Sequence, residues 1–434
     1  MPRARVVRTV QVERTSRVKL LEGLFDLPAL KTAQQTVEVE LPLEEKPWLI
    51  GLIVGPSGCG KSTVARALWP EQMCDGHAWS DTAALVDGFP SGMAIKEITG
   101  LLSSVGFSSP PAWLRPFKTL SNGEQFRATV ARALAENREL VVIDEFTSVV
   151  DRTVARIGSA AVAKSIRSRK QGRFVAVSCH DDIVEWLQPD WVYYPATGEF
   201  RWRCLQRRPT ISLEIHRCPR SYWRMFAHHH YLSGELSPTA DCWLGRVEGR
   251  PAVFVATINR QHPSGAFRGE HRLVCLPDFQ GVGLGNAMSE TVASVYSGLG
   301  WRYCSVSGHP AIIAHRNRSK NWRCNRRTGI NVPHLGLRKR HGGTFTESLG
   351  RLTASFQYVG PRMAVDLARR IRKLDLARFL ELKPNCTPNV LARISDVGES
   401  QVRRWLAEQV KAKTVVARGS GRGLDRISYR LANG

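Results

Sequence analysis

The residues with the clearest chemical meaning form one glycine-rich segment, Gly55-Pro56-Ser57-Gly58-Cys59-Gly60-Lys61-Ser62-Thr63. An apolar, β-branched run at 48–54 precedes it, and a run with apolar residues at helical spacing, 64–69, follows it. Strand, loop, Lys-Ser and helix in this order predict a phosphate-binding loop. Glycines let several N–H groups converge on one anion, and the helix N-terminus adds the positive end of its dipole. The alternative is a glycine-rich turn that binds nothing, but here every position that the motif requires is filled.

Each part of this loop has an expected role. Lys61 would reach the β- and γ-phosphates of a nucleotide, and Ser62 would offer its hydroxyl to Mg²⁺. The residues predicted to bind the nucleotide are Gly55, Ser57, Gly58, Gly60, Lys61, Ser62 and Thr63.

Further motifs follow in a fixed order. Leu120-Ser121-Asn122-Gly123-Glu124-Gln125 begins a helical pattern, Leu140-Val141-Val142-Ile143-Asp144-Glu145 ends an apolar strand in two carboxylates, and Thr147-Ser148-Val149-Val150-Asp151 and His180 come later. This series resembles the ABC-type ATPase family, with its Walker A loop, signature, Walker B, D-loop and H-loop, over roughly residues 1–200. Several motifs in the right order are far more specific than any one of them.

The resemblance implies roles for these residues. Asp144 would bind Mg²⁺, Glu145 would orient or activate the attacking water, and His180 would contact the γ-phosphate. Because one chain holds one motif set, the resemblance implies a homodimer that sandwiches two ATP molecules. The signature would face the partner's nucleotide, and the further nucleotide contacts it implies are Ser121, Gly123, Glu124 and Asp151.

One position departs from the family. Members usually carry a Gln that senses Mg²⁺ and the γ-phosphate between Walker A and the signature, whereas 84–90 offers Asp87. A carboxylate there could contact Mg²⁺ through water, so Asp87 is included among the expected nucleotide contacts.

Size and charge bound the possible functions. The chain has 434 residues, enough for two to four domains, and an apolar fraction of 43%. Lys and Arg outnumber Asp and Glu by 62 to 38, which gives a net charge of +24 and favours a polyanionic partner, nucleic acid before an anionic membrane. A generally basic surface is the alternative. The 10 Cys show no zinc-ligand spacing, and no signal peptide or membrane-spanning run is seen, so we expect a cytoplasmic protein.

Residues 206–365 contain a second glycine-rich loop. A hairpin pattern at 243–257 and a strand at 273–276 lead to Gln280-Gly281-Val282-Gly283-Leu284-Gly285, a helix from Asn286 to about Ser297 and a strand at 303–307. This resembles the acyl-CoA motif of GNAT acetyltransferases, which implies pyrophosphate bound to backbone N–H groups at a helix N-terminus. The expected acyl-CoA contacts are Gln280, Gly281, Gly283 and Gly285.

Two other features of this region suggest chemistry. The run His228-His229-His230-Tyr231 is a poor metal site, because consecutive residues do not point the same way, so one His or Tyr231 could instead act as acid/base or stack on a substrate. A cation-rich segment read as a loop, 309–323, interleaves Trp322 with basic residues and suits phosphate and base contacts, with Arg316 and Lys320 as candidates. A solvated basic loop is the alternative. The combination is loosely similar to phage Mom-type enzymes, GNAT-like proteins that modify adenine in DNA.

Residues 366–434 predict two short helices, 389–394 and 400–410, joined by a Gly-containing turn and followed by a basic hairpin. This resembles a winged helix-turn-helix domain. The candidate nucleic-acid contacts are Ser400, Gln401, Arg403, Arg404, Arg418 and Arg422. A protein-binding winged helix is the alternative.

The sequence therefore predicts an α/β multidomain protein. It would comprise an ABC-type P-loop ATPase (1–205), a GNAT-like α+β acyltransferase domain (206–365) and a small winged-helix domain (366–434). The expected ligands are ATP, Mg²⁺ and acyl-CoA, with DNA as partner and target of modification. Two alternatives stay open: an ATP-dependent DNA-binding protein with a non-catalytic GNAT-like fold, and the ATPase subunit of a transporter.

Overall fold

Contacts between residues divide the chain into two compact units. The first is Met1–Phe107 with Trp113–Thr210, and the second is Ile211–Gly434 together with the short segment Ser108–Ala112. The predicted division of the second unit at residue 365 remains a prediction. The computed structural model describes residues 3–11, 13–25, 32–74, 76–136, 139–169, 172–203, 210–231, 235–330, 352–372, 376–377, 380, 385–395, 397–419 and 427–432.

The first unit begins with a two-stranded sheet. Strands β1 (Arg3–Gln11) and β2 (Thr32–Glu40) pair antiparallel. The alternation in 4–47 predicted antiparallel strands, and this prediction is confirmed. Helix α1 (Ser16–Phe25) lies between them in sequence and was not predicted.

A six-stranded sheet carries the phosphate-loop strand. Its order is β4-β5-β6-β3-β7-β8, and every neighbouring pair is parallel except β7–β8. Strands that are buried on both faces read as continuous apolar runs, as the sequence of β3 does. The bounds are β3 (Ile50–Val54), β4 (Met73–Cys74), β5 (Leu140–Ile143), β6 (Arg173–Ser178), β7 (Trp191–Tyr194) and β8 (Glu199–Trp202).

Aromatic residues fill the core beside β3. Trp191 is fully buried and packs edge-on against Trp48, with ring centroids 5.5 Å apart. A Cβ on Gly51 would lie 2.0 Å from the Trp191 ring, so only glycine fits there. Trp48 is thus a core residue.

The helices in this part of the chain are α2 (Lys61–Leu68), α3 (Ile95–Ser104), α4 (Pro110–Trp113), α5 (Asn122–Glu136), α6 (Arg152–Arg169) and α7 (Ile183–Leu187).

The second unit is built on a seven-stranded sheet of order β14-β15-β13-β12-β11-β10-β9. All neighbours are antiparallel except β12 and β13. The predicted hairpin turns at Glu248 and Gly249, both with positive φ (51° and 74°), as a two-residue turn that matches strand twist requires. The strands are β9 (Glu214–Cys218), β10 (Asp241–Val247), β11 (Arg250–Arg260), β12 (Phe267–Cys275), β13 (Tyr303–Ser307), β14 (Trp322–Ile330) and β15 (Leu352–Tyr358).

The parallel pair separates along its length. Its pairing runs from Arg268 with Tyr303 to Glu270 with Ser305, whereas β12 continues to Cys275 beside β11 alone and β13 continues beside β15. A parallel pair needs a crossover connection, and helix α9 (Leu284–Gly298) supplies it. The strands therefore open at their carboxyl ends, where the glycine loop 280–285 begins.

Segment 309–323 was expected to be a loop, and this expectation is wrong. Pro310–Arg318 is helix α10, whose start is favoured by proline in its first turn. Trp322 then opens strand β14. Helix α8 (Trp223–Phe226) is the remaining helix of this part of the unit.

The C-terminal part consists of helices and a hairpin. Helix α11 (Val365–Arg372) is followed by α12 (Pro388–Ser395) and α13 (Glu399–Lys411), and then by the antiparallel pair β16 (Val415–Arg418) and β17 (Ser428–Leu431). The apolar core beneath them includes Cys386, Leu391, Val402, Leu406 and Val415. Within the described ranges, no helix is long and apolar enough to cross a membrane.

Candidate nucleotide-binding site

Three neighbouring parallel strands bring the predicted nucleotide residues to one edge of the sheet. Val54 of β3 pairs with Ser178 of β6, and Ile143 of β5 pairs with Ala176 of β6. Gly55, Asp144 and His180 each follow one of these strand ends within two residues. Ligands of open parallel sheets bind at the carboxyl ends of the strands, and this edge holds the expected chemistry.

The glycine loop has the backbone that a phosphate cradle needs. Gly58 and Gly60 have φ of 81° and 93°, and a Cβ at Gly58 would meet only open space. Gly60 caps α2, so the first N–H groups of that helix have no carbonyl within the helix to bond. Lys61 is buried, and its Nζ donates to Pro56 O at 2.8 Å. The other loop residues differ in exposure: Ser57 is exposed, Ser62 and Thr63 are half-buried, and Gly55 is buried.

The two carboxylates after β5 occupy different environments. Asp144 is half-buried and accepts the N–H of Glu145 at 2.9 Å, while Glu145 is exposed and accepts the hydroxyl of Ser148 at 2.6 Å. Glu145 holds a left-handed backbone with φ of 52°. The Phe146 N–H donates to Val177 O at 2.8 Å and ties this turn to β6. Strained, exposed carboxylates of this kind are typical of functional sites.

His180 follows strand β6 by two residues, and Asp151 directly precedes helix α6. His180 is half-buried, and its N–H donates to Ser178 Oγ at 3.2 Å. Asp151 accepts the N–H groups of Thr153 at 2.9 Å and Val154 at 3.1 Å, so it caps α6. Helix capping is therefore one role of Asp151.

The predicted signature residues form a capping box at the start of α5. Glu124 Oε2 accepts the N–H of Ser121 at 2.9 Å and its hydroxyl at 3.1 Å, and the Glu124 N–H lies 3.4 Å from Ser121 Oγ. Glu124 and Gly123 are buried and Ser121 is exposed. The Ser121 N–H, expected to face an anion, is therefore already bonded, and Glu124 acts as a cap.

Asp87 lies in a 3₁₀ turn, Leu85–Gly88, and is exposed. A Cβ on the adjacent Gly88 would approach the Trp79 ring to 2.6 Å, and that ring stacks on Phe117 at 4.6 Å. The turn is thus fixed by aromatic packing while its carboxylate stays in solvent.

The second glycine loop has an open backbone. Gly281 and Gly283 have φ of 91° and 94°, and a Cβ on Gly283 would meet nothing. Gly283 caps α9, and a Cβ on Gly285 would only just reach that of Cys275 at 4.0 Å. These features fit a backbone cradle for an anion.

Gln280 departs from its predicted role. Its side chain is buried, its Nε2 donates to Cys275 O at 2.8 Å and to Ser109 Oγ at 2.9 Å, and its Oε1 accepts the Ser108 N–H at 2.5 Å. All of these residues belong to the second unit. The side chain is therefore engaged within the protein and is not available to acyl-CoA.

Two residues near this loop, Ser108 and His309, were not identified as candidates from the sequence. His309 is buried with Nε2 3.3 Å from Ser108 O, and burial lowers its pKa, so it is neutral at pH 7. Gly308 N–H donates to Tyr231 Oη at 3.4 Å. A pattern search sees Ser108 and His309 as isolated polar residues, because only folding brings them to the ends of β12 and β13.

The histidine run does not converge on a point. The rings of His228 and His229 lie 3.9 Å apart, and the His230 ring stacks on Tyr231 at 4.8 Å. No group of three His, Cys, Asp or Glu side chains among the described residues could hold a metal ion.

Arg316 is not available to nucleic acid. Its side chain is fully buried and pairs with Glu270 at 2.9 Å, and its guanidinium lies 4.1 Å from the centre of the Trp322 ring. We therefore remove it from the predicted contacts, because reaching a phosphate would leave Glu270 buried without its ion-pair partner. Lys320 is exposed, as a phosphate contact requires.

The predicted reading residues of the C-terminal part are exposed. Ser400, Gln401, Arg403 and Arg404 lie in the first turns of α13, where Arg403 pairs with Glu399 at 2.6 Å. Arg418 ends β16 and is exposed. Arg422 lies outside the described residues.

Comparison with known proteins places the nucleotide site in context. No family model matches the chain. It is similar to elongation factor 3A of Saccharomyces cerevisiae, with 33% identity over 23% of this chain and 11% of that protein. It is also similar to the cytochrome c biogenesis ATP-binding export protein CcmA of Rhodospirillum rubrum, with 28% identity over 31% of this chain and 69% of that protein. The zinc import ATP-binding protein ZnuC of Cereibacter sphaeroides is 29% identical over 35% of this chain and 70% of that protein. These similarities support an ABC-type ATPase domain.

The names of CcmA and ZnuC describe ATP-binding proteins. The chain spans about a tenth of elongation factor 3A. A solved ATP-binding cassette in a post-hydrolysis dimer with ADP and Pi aligns with 47% of this chain and 98% of its own, at 15% identity and a TM-score of 0.34. A dimeric bacterial ABC transporter cassette aligns with 40% of this chain and 93% of its own chain, at 16% sequence identity and a TM-score of 0.29.

Proposed function

We propose that the chain hydrolyses ATP as a homodimer whose two nucleotide sites are each completed by the other copy. The observation that carries this is the convergence of the phosphate loop, Asp144, Glu145 and His180 at the carboxyl ends of β3, β5 and β6. One chain supplies one signature at Ser121, and that residue is exposed. A second copy is therefore the natural source of the missing half of each site.

Each residue at this edge has a separate role in phosphoryl transfer. Backbone N–H groups of 58–62 cradle the phosphates, and Lys61 leaves Pro56 O to neutralise the β- and γ-phosphates. Glu145 orients the attacking water, and His180 contacts the γ-phosphate. Because little covalent chemistry falls to the protein, positioning and charge carry the catalysis.

Mg²⁺ has suitable oxygen donors here. The Ser62 hydroxyl and the Asp144 carboxylate would hold it, and both side chains are half-buried rather than sealed from water. When bound, the ion neutralises charge on the β- and γ-phosphates.

Steady-state hydrolysis of ATP by the full chain tests this proposal. Lys61→Ala should abolish hydrolysis, because no other cation of the loop reaches the phosphates. Lys46→Ala is the matched control, because Lys46 lies before the strand and faces the Trp202 ring. Equal rates in the Lys61→Ala variant and the original chain would reject the site.

We further propose that 206–365 is an acyl-CoA-dependent N-acyltransferase domain acting on DNA or on an amine associated with it. Support comes from the order hairpin, strand, glycine loop, helix and strand within one sheet, and from the opening of β12 away from β13. The anion would bind the N–H groups that start α9. A neutral amine must then attack the thioester, with an oxyanion contact to assist it.

Calorimetry with acetyl-CoA tests this domain separately. Binding by the Lys61→Ala variant is expected, because that substitution lies in the other unit. Absence of acyl-CoA binding in a chain that still hydrolyses ATP would favour the second hypothesis, a DNA-binding ATPase with a non-catalytic acyltransferase-like fold.

Nucleic acid is the proposed partner of α13 and the β16–β17 hairpin. The exposed Arg404 and Arg418 and the net charge of +24 support it. The competing function is the ATPase subunit of a transporter, favoured by the similarity to CcmA and ZnuC, whose names describe export and import. Duplex DNA that stimulates ATP hydrolysis would support the DNA proposal. Unchanged hydrolysis without DNA binding at moderate salt would favour the transporter.

A further inference from the structure

Beside the nucleotide edge lies a cluster that the proposed hydrolysis does not use. Cys74, the last residue of β4, has its Sγ 3.4 Å from His77 Nε2. On the other side of the ring, His77 Nδ1 lies 3.2 Å from Glu136 Oε2. A thiol, an imidazole and a carboxylate that contact one another in this order form the nucleophile–base–orienter arrangement of covalent catalysis.

The surroundings hold His77 in place. Its ring meets Trp79 edge-on at 5.9 Å, and its side chain is 6% exposed. Arg132 donates to Glu136 Oε1 at 2.8 Å and to Ala78 O at 3.0 Å, and its guanidinium stacks 4.6 Å from the centre of the Trp79 ring. The carboxylate, and through it the imidazole, therefore has one orientation.

The ring chemistry fits a base rather than a metal ligand. Glu136 lies beside Nδ1 and the thiol lies beside Nε2, so in the tautomer with a proton on Nδ1 the Nε2 lone pair faces Sγ. Burial is the largest influence and lowers the pKa of His77; Glu136 raises it, Arg132 lowers it, and a hydrogen bond to the Thr129 backbone raises it. The imidazole is thus neutral at pH 7 and free to accept the thiol proton.

We propose that Cys74 is a base-activated thiol that forms mixed disulfides with low-molecular-weight disulfides, with His77 as the base and Glu136 as the residue that positions it. Exchange at sulfur requires a thiolate and proton transfer but no oxyanion contact, and this cluster supplies those two things. The described cysteines, Cys74 among them, form no disulfide.

The step balances without a further reactant. His77 Nε2 takes the Cys74 proton, and the thiolate attacks one sulfur of the disulfide RSSR. The S–S bond breaks as the Cys74–S–S–R bond forms. The leaving thiolate takes the proton from Nε2 and departs as RSH. Cys74 is oxidised and the small disulfide is reduced.

The site is one strand away from the predicted Mg²⁺ ligand. Cys74 pairs with Ile143 in the parallel β4–β5 ladder, and Asp144 is the next residue. A bulky, charged substituent on Cys74 would therefore slow ATP hydrolysis, a consequence that rests on the proposed function.

Site-resolved modification of the full chain by glutathione disulfide tests the proposal. Mass spectrometry of peptides gives the rate at Cys74 and at Cys324, an exposed cysteine that serves as internal reference. At pH 7 we expect Cys74 to react at least about tenfold faster than Cys324 despite its lower exposure, because His77 takes the thiol proton as Cys74 attacks, whereas Cys324 must ionise unaided. A Cys74 rate equal to or below that of Cys324 would overturn the proposal.

Variants separate activation from accessibility. His77→Gln should lower the Cys74 rate about tenfold at pH 7 and leave Cys324 unchanged, and the loss should vanish above pH about 9, where thiols ionise unaided. Glu136→Gln should give a smaller loss of the same kind. An unchanged Cys74 rate in His77→Gln rejects the base, and His77→Asn repeats the test with a different side chain.

The effect on hydrolysis is measured on the same samples. Modified chain should hydrolyse ATP at least about tenfold more slowly and recover in dithiothreitol, whereas Cys74→Ser should keep its rate and resist the disulfide. Inhibition that persists in Cys74→Ser would assign it to another cysteine and refute the link. Labelling does not depend on hydrolysis, so failure of the thiol proposal and failure of the ATPase proposal are distinguishable.

Discussion

Glu145 combines exposure, a left-handed backbone and a position directly after a buried strand. Glu145→Gln keeps the size and the Ser148 contact but removes the charge that we propose orients the attacking water. We expect kcat for ATP hydrolysis to fall at least about a hundredfold, with ATP binding retained. Glu139→Gln is the control, because Glu139 is exposed one residue before the start of β5. A Glu145→Gln rate within twofold of the original, roughly measurement error, would remove Glu145 from catalysis.

Glu270 and Arg316 form a buried pair whose loss should be visible as instability. Burial alone would raise the pKa of Glu270, but Arg316 with the hydroxyls of Ser289 and Ser305 holds it below the usual value. The contribution of this pair is thus complete above pH about 4.3 and is lost as pH falls through the lower folded-state pKa.

Arg316→Met should cost about 3–5 kcal/mol of unfolding free energy at pH 7, because it leaves a carboxylate buried without its ion-pair partner. Urea unfolding at pH 7 and at pH 4 measures it, and the cost should shrink at the lower pH as Glu270 takes up a proton. Arg318→Met, two residues away and exposed, should change stability by under about 0.5 kcal/mol. Equal effects of the two variants would contradict the burial of Arg316.

The role of a single residue could be predicted only where it depends on the local order of the sequence. Lys61 and Asp144 lie where their motifs imply, because short-range sequence order fixes a strand, a loop and a helix start. Gln280 and Arg316 do not keep their assigned roles, because their partners Ser108 and Glu270 are distant in sequence. Charge and motif position carry no information on such contacts.

At the level of elements, the loop before α9 provides a clean test. Gly283 has φ of 94° and an open Cβ direction, so both Asp and Asn fit sterically and tolerate this backbone better than most residues. Gly283→Asp adds a negative charge where a pyrophosphate would bind, whereas Gly283→Asn does not. Calorimetry should show that the affinity for acetyl-CoA is at least about tenfold lower in Gly283→Asp than in Gly283→Asn. Equal affinities would exclude this helix end as the anion site.

Helix α13 makes a separate prediction. Arg404 is exposed, whereas Arg403 pairs with Glu399 on the same helix face. Arg404→Ala should weaken binding to duplex DNA and reduce the slope of log affinity against log salt by about 0.9, as loss of one phosphate contact does. Arg403→Ala should have the smaller effect, measured by fluorescence anisotropy across salt. Unaltered binding in Arg404→Ala would favour a protein partner.

Elements were predictable where local pattern decides them. The β10–β11 hairpin, β13 and α13 lie close to their predicted bounds, because alternation, helical spacing and turn glycines are local signals. Helix α10 was missed, because its cations conceal the pattern and the buried Arg316 occupies a position where an apolar residue is expected.

At the level of the whole molecule, we propose that one copy completes the nucleotide site of another. Lys61→Ala disables the phosphate loop, and Ser121→Arg places a bulky cation at the exposed signature position. Each variant alone should be inactive. In a mixed dimer, however, the site built from one chain's Lys61 and the other's Ser121 is intact.

The decisive measurement is ATP hydrolysis by an equimolar mixture of the Lys61→Ala and Ser121→Arg variants. Random pairing makes half of the dimers mixed, and each holds one intact site of two, so we expect recovery to roughly a quarter of the original rate. Analytical ultracentrifugation with ATP confirms that the variants still dimerise. A mixture no more active than the sum of its two inactive components would contradict the shared site.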